Sequence, residues 1–174
     1  AFALERARKH GIPAVHISSK GYKGKREEYD GLLVRELRNR NVDLVILAGF
    51  MRIITKVLVQ AYPNRIMNIH PALLPAFPGL HVQKAAIEHG VKFSGCTVHF
   101  VDEGMDTGPI IIQAVVPVLD HDREDTLAAR ILKQEHKIFS RAIQLFAEGK
   151  LNVEGRRVVV AGGRTESDDH LLNP

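Results

Sequence analysis

Between Leu44 and Ala48 the chain reads LVILA, apolar at every position, inside the longer stretch DLVILAGF (Asp43 to Phe50). A strand with one wet face alternates apolar and polar residues. One that does not alternate is covered on both faces, which points to a buried parallel strand under helices. The flanks agree. KREEYDGLLVRELRNRN carries Leu33, Val34 and Leu37 at helical spacing, TKVLVQAY forms a short helix, and RIMNIH forms a second strand. Strands alternating with helices predict right-handed β-α-β units and a mainly parallel sheet in an α/β fold.

The remaining stretches extend this pattern. Ala1 to His10 read as a helix ended by Gly11, Ile12 to Ser18 (IPAVHIS) as a strand, and HVQKAAIEHG as a helix stopped by Gly90. FSGCTVHFV and GPIIIQAVVPV are two strands whose link is too short for a parallel crossover, so part of the sheet is expected to be antiparallel. A long helix from Glu124 to Glu148 ends at Gly149. Residues 161–174, rich in Gly, Asp and Ser, are expected to form a disordered tail behind one domain over 1–160.

At 174 residues and 45% hydrophobic content the chain can bury one substantial core. A net charge of +4 suits an anionic small molecule. Its basic clusters, Lys20 to Arg26 and Arg38 to Arg40, are interrupted by Gly and Asn and read as solvated surface rather than a nucleic-acid interface. Cys96 is the single cysteine, which excludes an internal disulfide and fits a reducing compartment. No apolar run approaches the ~20 residues of a membrane span. A soluble cytoplasmic domain acting on small molecules is expected, with no membrane or nucleic-acid partner, as a monomer or homodimer.

In parallel sheets, ligands bind beyond the carboxyl ends of the strands, where AGFMRI and NIHP fall. Asn68 and His70 lie two residues apart, so a strand presents both on one face, and Pro71 biases His70 towards extended backbone. An imidazole that moves a proton near neutral pH beside an amide N–H that donates to a developing oxyanion suits acyl transfer. In the loop DEGMDTGPI, Asp106 precedes Thr107, Gly108 and Pro109, where the backbone is tightly specified, and an acid beside His70 would orient it and raise its pKa. Glu135 interrupts the helical stripe Leu127, Ile131, Ile138 and Ala142, so it is either paired inside or turned to a ligand. Asp120, His121 and Asp122 read as an acidic helix start rather than a metal site. His16, His81, His89 and His99 receive no role. No G-x-G-x-x-G or Walker sequence supports dinucleotide or triphosphate use.

Taken together, LAGFMRI, NIHPALLPAFPG and VHFVDEGMDTGPIIIQ resemble the phosphoribosylglycinamide formyltransferases, and the resemblance runs from AFALERA to QEHKIF. It implies a Rossmann-like formyltransferase fold that passes a formyl group from 10-formyltetrahydrofolate, as co-substrate, to the amine of glycinamide ribonucleotide in purine biosynthesis, without a metal. Asn68, His70 and Asp106 match the catalytic trio. Asn68 would polarise the formyl oxygen, His70 would assist proton transfer, and Asp106 would hold His70. On the folate side the resemblance implies Arg26, Met51, Arg52, Ile53 and Ile54, Asn68, and the loop Asp102, Glu103, Gly104, Met105 and Asp106. On the ribonucleotide side it implies Gly49, Pro71, Leu132, Lys133, Gln134 and Glu135.

One departure concerns the start of the chain. The family opens with a strand, a Ser-Gly-x-Gly-Ser-Asn phosphate loop and a second strand, whereas this sequence starts at Ala1 beyond them. The N-terminal strands are therefore expected to be missing from this chain, and with them the phosphate anchor. Two rivals share the fold. Formyltetrahydrofolate deformylases carry NIHH where this chain has Pro71, and methionyl-tRNA formyltransferases need a further domain for which 151–174 leave no room. A non-catalytic folate-binding module would not require Asn68, His70 and Asp106 together.

Overall fold

The structure, a computed structural model, describes residues 2–50, 52–162 and 172–173. Along the chain run α1 (Phe2–Lys9), α2 (Arg26–Arg38), β1 (Val45–Leu47), α3 (Lys56–Ala61), β2 (Ile66–His70), α4 (Val82–Glu88), β3 (Phe93–Phe100), β4 (Ile110–Pro117), α5 (Glu124–Ala147), β5 (Leu151–Glu154), β6 (Arg157–Val160) and β7 (Leu172–Asn173). The sheet order is β1-β2-β3-β4-β6-β5, with β7 also pairing β4. The α/β class and the mixed sheet match expectation. Of the expected tail, residues 163–171 and 174 lie outside the described residues, as does Met51.

The parallel part is the β1–β2 ladder, with Val45 opposite Ile66 and α3 in the connection, and a bridge between Ile110 of β4 and Arg157 of β6. The strands β2, β3 and β4 form antiparallel ladders. The β3–β4 pairing follows from its short link. The β2–β3 pairing does not follow from the alternation of elements: α4 intervenes, yet β3 re-enters antiparallel, so α4 lies over the sheet without making a parallel crossover.

Period-2 alternation splits the sheet residues between two layers. Met67 of β2, Cys96, Val98 and Phe100 of β3 and Ala114 of β4 join one core cluster with the α5 stripe Leu127, Ile131, Ile138 and Ala142. On the opposite face Ile66 packs with Val34 of α2 and with Leu58 and Tyr62 around α3. Each fully buried aliphatic side chain contributes about 1.5–3 kcal/mol, so α5 is held chiefly by this stripe.

Two expectations need correction. The strand over Ile12–Ser18 is not formed: the segment is irregular, Ile12 and Val15 are more than half exposed, and it is tied to α2 by the Tyr29 hydroxyl donating to the Ile17 carbonyl at 3.0 Å. Apolar alternation favours a strand only where a neighbouring strand can take its backbone groups, and none among the described residues does so here. β1 is likewise not buried on both faces. It is an edge of the described sheet, Val45 and Leu47 pack on the α2–α3 side, and Ile46 on the other face is 37% exposed. A hairpin was also missed. β5 and β6 pair antiparallel across Gly155–Arg156, with Gly155 at φ 62° supplying the left-handed first turn position of a tight hairpin.

The connection into α5 is fixed by Asp122. Its carboxylate takes a two-pronged contact from Arg130 (2.6 and 2.8 Å), accepts the Leu119 N–H (2.8 Å) and accepts the Thr126 hydroxyl (2.8 Å), while Arg130 also donates to the Pro117 carbonyl at 2.8 Å. The end of β4 and the first turns of α5 thus share one buried carboxylate. The Arg130 guanidinium holds the Asp122 carboxyl well below the usual range, helped by the Leu119 and Thr126 bonds. A depressed folded-state pKa stabilises at pH values above the unfolded value of about 3.9, and that contribution is lost as pH falls towards the folded value. Asp122→Ala is expected to destabilise the protein by about 2–3 kcal/mol at neutral pH. Denaturant titrations should show the gap between wild type and variant narrowing below about pH 4. A gap of constant size across that range would show that the carboxylate charge is not what stabilises this junction.

Candidate active site

On the α2–α3 face of the sheet, beyond the apolar Ile66, the side chains turn polar. Asn68 lies opposite His99, His70 opposite Thr97, and Thr97 opposite Gln113, so a polar row crosses β2, β3 and β4 on one face. His70, Thr97 and His99 are buried. The β3–β4 register shifts between Val98 and His99, beside this row, leaving Ile111 of β4 without a partner in the ladder. The Thr97 hydroxyl donates to the Ala72 carbonyl (2.7 Å) and accepts the Leu74 N–H (3.1 Å), while the Gln113 amide donates to the Leu74 carbonyl (2.9 Å). These bonds pin the segment after Pro71, and so place the Phe77 carbonyl over His70.

Both ring nitrogens of His70 are engaged. Nε2 lies 2.8 Å from the Phe77 carbonyl, which can only accept, so Nε2 carries a proton. Nδ1 faces Asp106 Oδ2 at 3.5 Å. That same oxygen accepts the Gly79 N–H at 2.9 Å, and Asp106 Oδ1 stands 3.8 Å from His99 Nε2. Asp106 reaches this position from the β3–β4 loop in left-handed backbone, φ 55°, a region that Asp tolerates better than most residues. Gly108 lets the loop lie on the end of β3, since a Cβ there would collide with the Phe100 carbonyl. The Asp102 carboxylate closes the loop by accepting the Thr107 hydroxyl (2.7 Å) and the Gly104 N–H (3.0 Å).

Asn68 donates to His99 Nε2 at 3.4 Å, and His99 Nδ1 faces the Phe100 carbonyl at 2.9 Å. His99 is the residue that sequence reasoning passed over. Burial pushes its pKa down, against the Phe100 carbonyl and the Asp106 carboxylate, which favour its charged form. Glu135 is half-buried on α5, where burial raises its carboxyl pKa and the His136 and His70 charges partly offset this. The same burial, with Glu135 adding to it, pushes the Cys96 thiol up to about 12, so Cys96 is a core side chain rather than a nucleophile.

The other expected contacts divide clearly. Met105 is exposed, with its sulfur above Gly79, so the apolar end of the loop overhangs the His70 segment. Arg52 stacks on the Tyr29 ring at 4.4 Å, Ile53 is 63% exposed, and Ile54 packs into the α2–α3 cluster. Glu103 accepts from Gln60 at 2.9 Å. Gly49 takes φ 64°, and Pro71 and Gln134 are half-buried. Arg26 is exposed where α2 begins, while Leu132 and Lys133 lie on the exposed side of α5, away from its buried stripe. Among the described residues no group of three or more His, Cys, Asp or Glu side chains is arranged to hold a metal ion. No described helix is long and apolar enough to cross a membrane.

Residues 1–143 match the family described as formyl transferase. The chain is 54% identical over 146 residues, 84% of its length, to the trifunctional purine biosynthetic protein adenosine-3 of Drosophila melanogaster, of which it covers 11%. It is 44% identical over 164 residues to the phosphoribosylglycinamide formyltransferase of Escherichia coli, covering 94% of this chain and 77% of that protein. Among solved structures, glycinamide ribonucleotide transformylase 1 from Symbiobacterium toebii superposes with a TM-score of 0.88 at 54% identity, covering 92% of this chain and 75% of that one.

Proposed function

The chain belongs to the formyl transferase family, and from that premise we propose that it transfers the formyl group of 10-formyltetrahydrofolate to the amine of glycinamide ribonucleotide in the cytoplasm. The observation that carries this reading is the convergence of Asn68, His70 and Asp106 at the carboxyl end of β2. The chain spans 11% of the trifunctional relative, so the reading concerns this domain.

The chemistry asks for three things. The formyl carbon is attacked by a neutral amine, its oxygen gains negative charge, and a proton moves from the attacking nitrogen to the leaving folate nitrogen. Asn68 supplies an N–H donor for that oxygen, an interaction that strengthens as charge develops. His70, with its Nε2–H exchanged from the Phe77 carbonyl to the reacting group, is the proton carrier. Asp106 faces Nδ1 and pairs with the positive charge that appears on the ring when it takes a proton. The overhanging Met105 and the exposed Ile53 give apolar walls suited to a flat heteroaromatic donor, with Arg26 assigned to the folate carboxylates. Glu135, held near the site by α5, is assigned to the ribose hydroxyls or the amine, with Gly49, Pro71 and Gln134 as neighbouring contacts.

Transfer and hydrolysis separate in one assay. The full-length protein is expected to consume 10-formyltetrahydrofolate only when glycinamide ribonucleotide is present, with one formylated ribonucleotide formed per folate released. Formate release at a comparable rate with folate alone would replace this reading with a deformylase, whose nucleophile is water.

A further inference from the structure

His99 lies on neither the expected folate wall nor the ribonucleotide wall, yet it touches the residue assigned to the formyl oxygen. Its Nδ1 is 2.9 Å from the Phe100 carbonyl, and a carbonyl has no proton to give, so Nδ1 must be the protonated nitrogen. In a neutral ring that leaves Nε2 with a lone pair. Nε2 is the atom 3.4 Å from the Asn68 amide nitrogen. An acceptor there can face only the N–H side of the amide, since turning the amide over would set Oδ1 against the lone pair.

We propose that His99 is a positioning residue for Asn68: the Phe100 carbonyl fixes its Nδ1–H tautomer, its Nε2 accepts one Asn68 N–H, and the second N–H is thereby left for the formyl oxygen. The tautomer of one ring, set by a backbone carbonyl of the same strand, decides which end of the catalytic amide faces the substrate. The surroundings keep the ring neutral. His99 is 1% exposed, and burial, with the positive charge available to His70, outweighs the Phe100 carbonyl and the Asp106 and Asp102 carboxylates, which favour a charged ring. Asp106 then pairs with a single cation, at His70.

The inference rests on the reading of Asn68 as the oxyanion donor, and its test is separable from that reading. In the wild-type protein labelled with ¹⁵N-histidine, the His99 ring is expected to show a protonated Nδ1 and an unprotonated Nε2 at neutral pH, with or without substrates. A proton on Nε2 overturns the proposal even if formyl transfer is confirmed. In turnover, His99→Leu removes the acceptor and should lower kcat by up to about 10²-fold, the smaller loss found on deleting an oxyanion donor outright, with folate KM little changed. His99→Gln, whose carbonyl oxygen reaches the Nε2 position, should recover most of that loss. Equal losses in both folded variants, or no loss in His99→Leu, would overturn the positioning role. If His99→Leu does not fold, the ring tautomer and the His99→Gln turnover decide the matter, with a large loss in His99→Gln counting against it.

Discussion

Asp106→Asn is expected to lower kcat for formyl transfer by about 10²–10⁴-fold, the range that general acid–base assistance supplies, while KM for folate and ribonucleotide changes little. Asn is the informative substitution because of the backbone. Asp106 sits at φ 55°, where Asn is tolerated and where a residue without a short polar side chain, such as Ala, adds strain of its own. The Asn side-chain oxygen can still accept the Gly79 N–H that Asp106 accepts at 2.9 Å, so the loop keeps its seat. What disappears is the charge beside His70 Nδ1 at 3.5 Å. With an amide there, the positive charge that the buried ring takes on during proton transfer meets no counter-charge at Nδ1. A melting temperature close to wild type should accompany the loss, showing that the fold is intact. Turnover within a few-fold of wild type would mean that Asp106 only braces the loop.

The parts of this site that were legible in the sequence are those governed by one-dimensional periodicity. Asn68 and His70 share a face because strand side chains alternate, and Glu135 stood out because it breaks a helical stripe; both are properties of a single element. His99 obeys the same alternation. In CTVHF, Thr97 and His99 are the polar positions of an apolar strand, which mirrors Asn68 and His70. What the sequence did not contain was the register that sets β3 against β2 with Asn68 opposite His99, because the chain returns antiparallel after α4. The position of Asp106 was hidden for another reason. Its approach to two histidines depends on a left-handed residue in a loop, and Asp is one of several residue types that can adopt it. The misread elements share one cause. LVILA reads as a doubly covered strand and IPAVHIS as a strand on local apolar content alone, but strand formation and burial depend on which neighbours lie alongside.

The polar row also explains why the site can be stiff without being large. The proline-rich loop between β2 and α4 buries Ala72 and Leu74 and packs Phe77 on the core, and it places the Phe77 carbonyl 2.8 Å from His70 Nε2. Its polar anchoring comes from the Thr97 and Gln113 side chains, one strand and two strands away, through bonds to the backbone of Ala72 and Leu74. The row that begins with Asn68 and His70 therefore continues into Thr97 and Gln113, which hold the loop over His70. A buried polar network of this kind holds a geometry only when its members are all satisfied.

Asn68→Ala should lower kcat by about 10²–10³-fold, the usual consequence of deleting one oxyanion donor. The loss is expected in the chemical step because a neutral formyl oxygen accepts only a weak bond, whereas the charged oxygen of the tetrahedral intermediate accepts a strong one. Folate affinity measured by calorimetry should therefore fall far less than single-turnover rate. Asn68→Asp keeps the size of the side chain and tests its sign. It places a carboxylate against the developing oxyanion and beside the His99 Nε2 that the Asn68 amide now faces at 3.4 Å, so it should be at least as damaging as Ala. If Asn68→Asp were instead the more active of the two, bulk rather than N–H donation would be the role of position 68. Combining Asn68→Ala with Asp106→Asn adds a further constraint. On the proposed mechanism both groups serve one transition state from opposite sides, through donation to the oxygen and proton transfer at the nitrogen. If each remains able to act alone, the losses multiply; if the steps are concerted, the double variant loses less than the product of the single losses. Attack of the amine on a formyl group that Asn68 no longer polarises leaves His70 with a less acidic nitrogen to serve, so the sub-multiplicative result is expected.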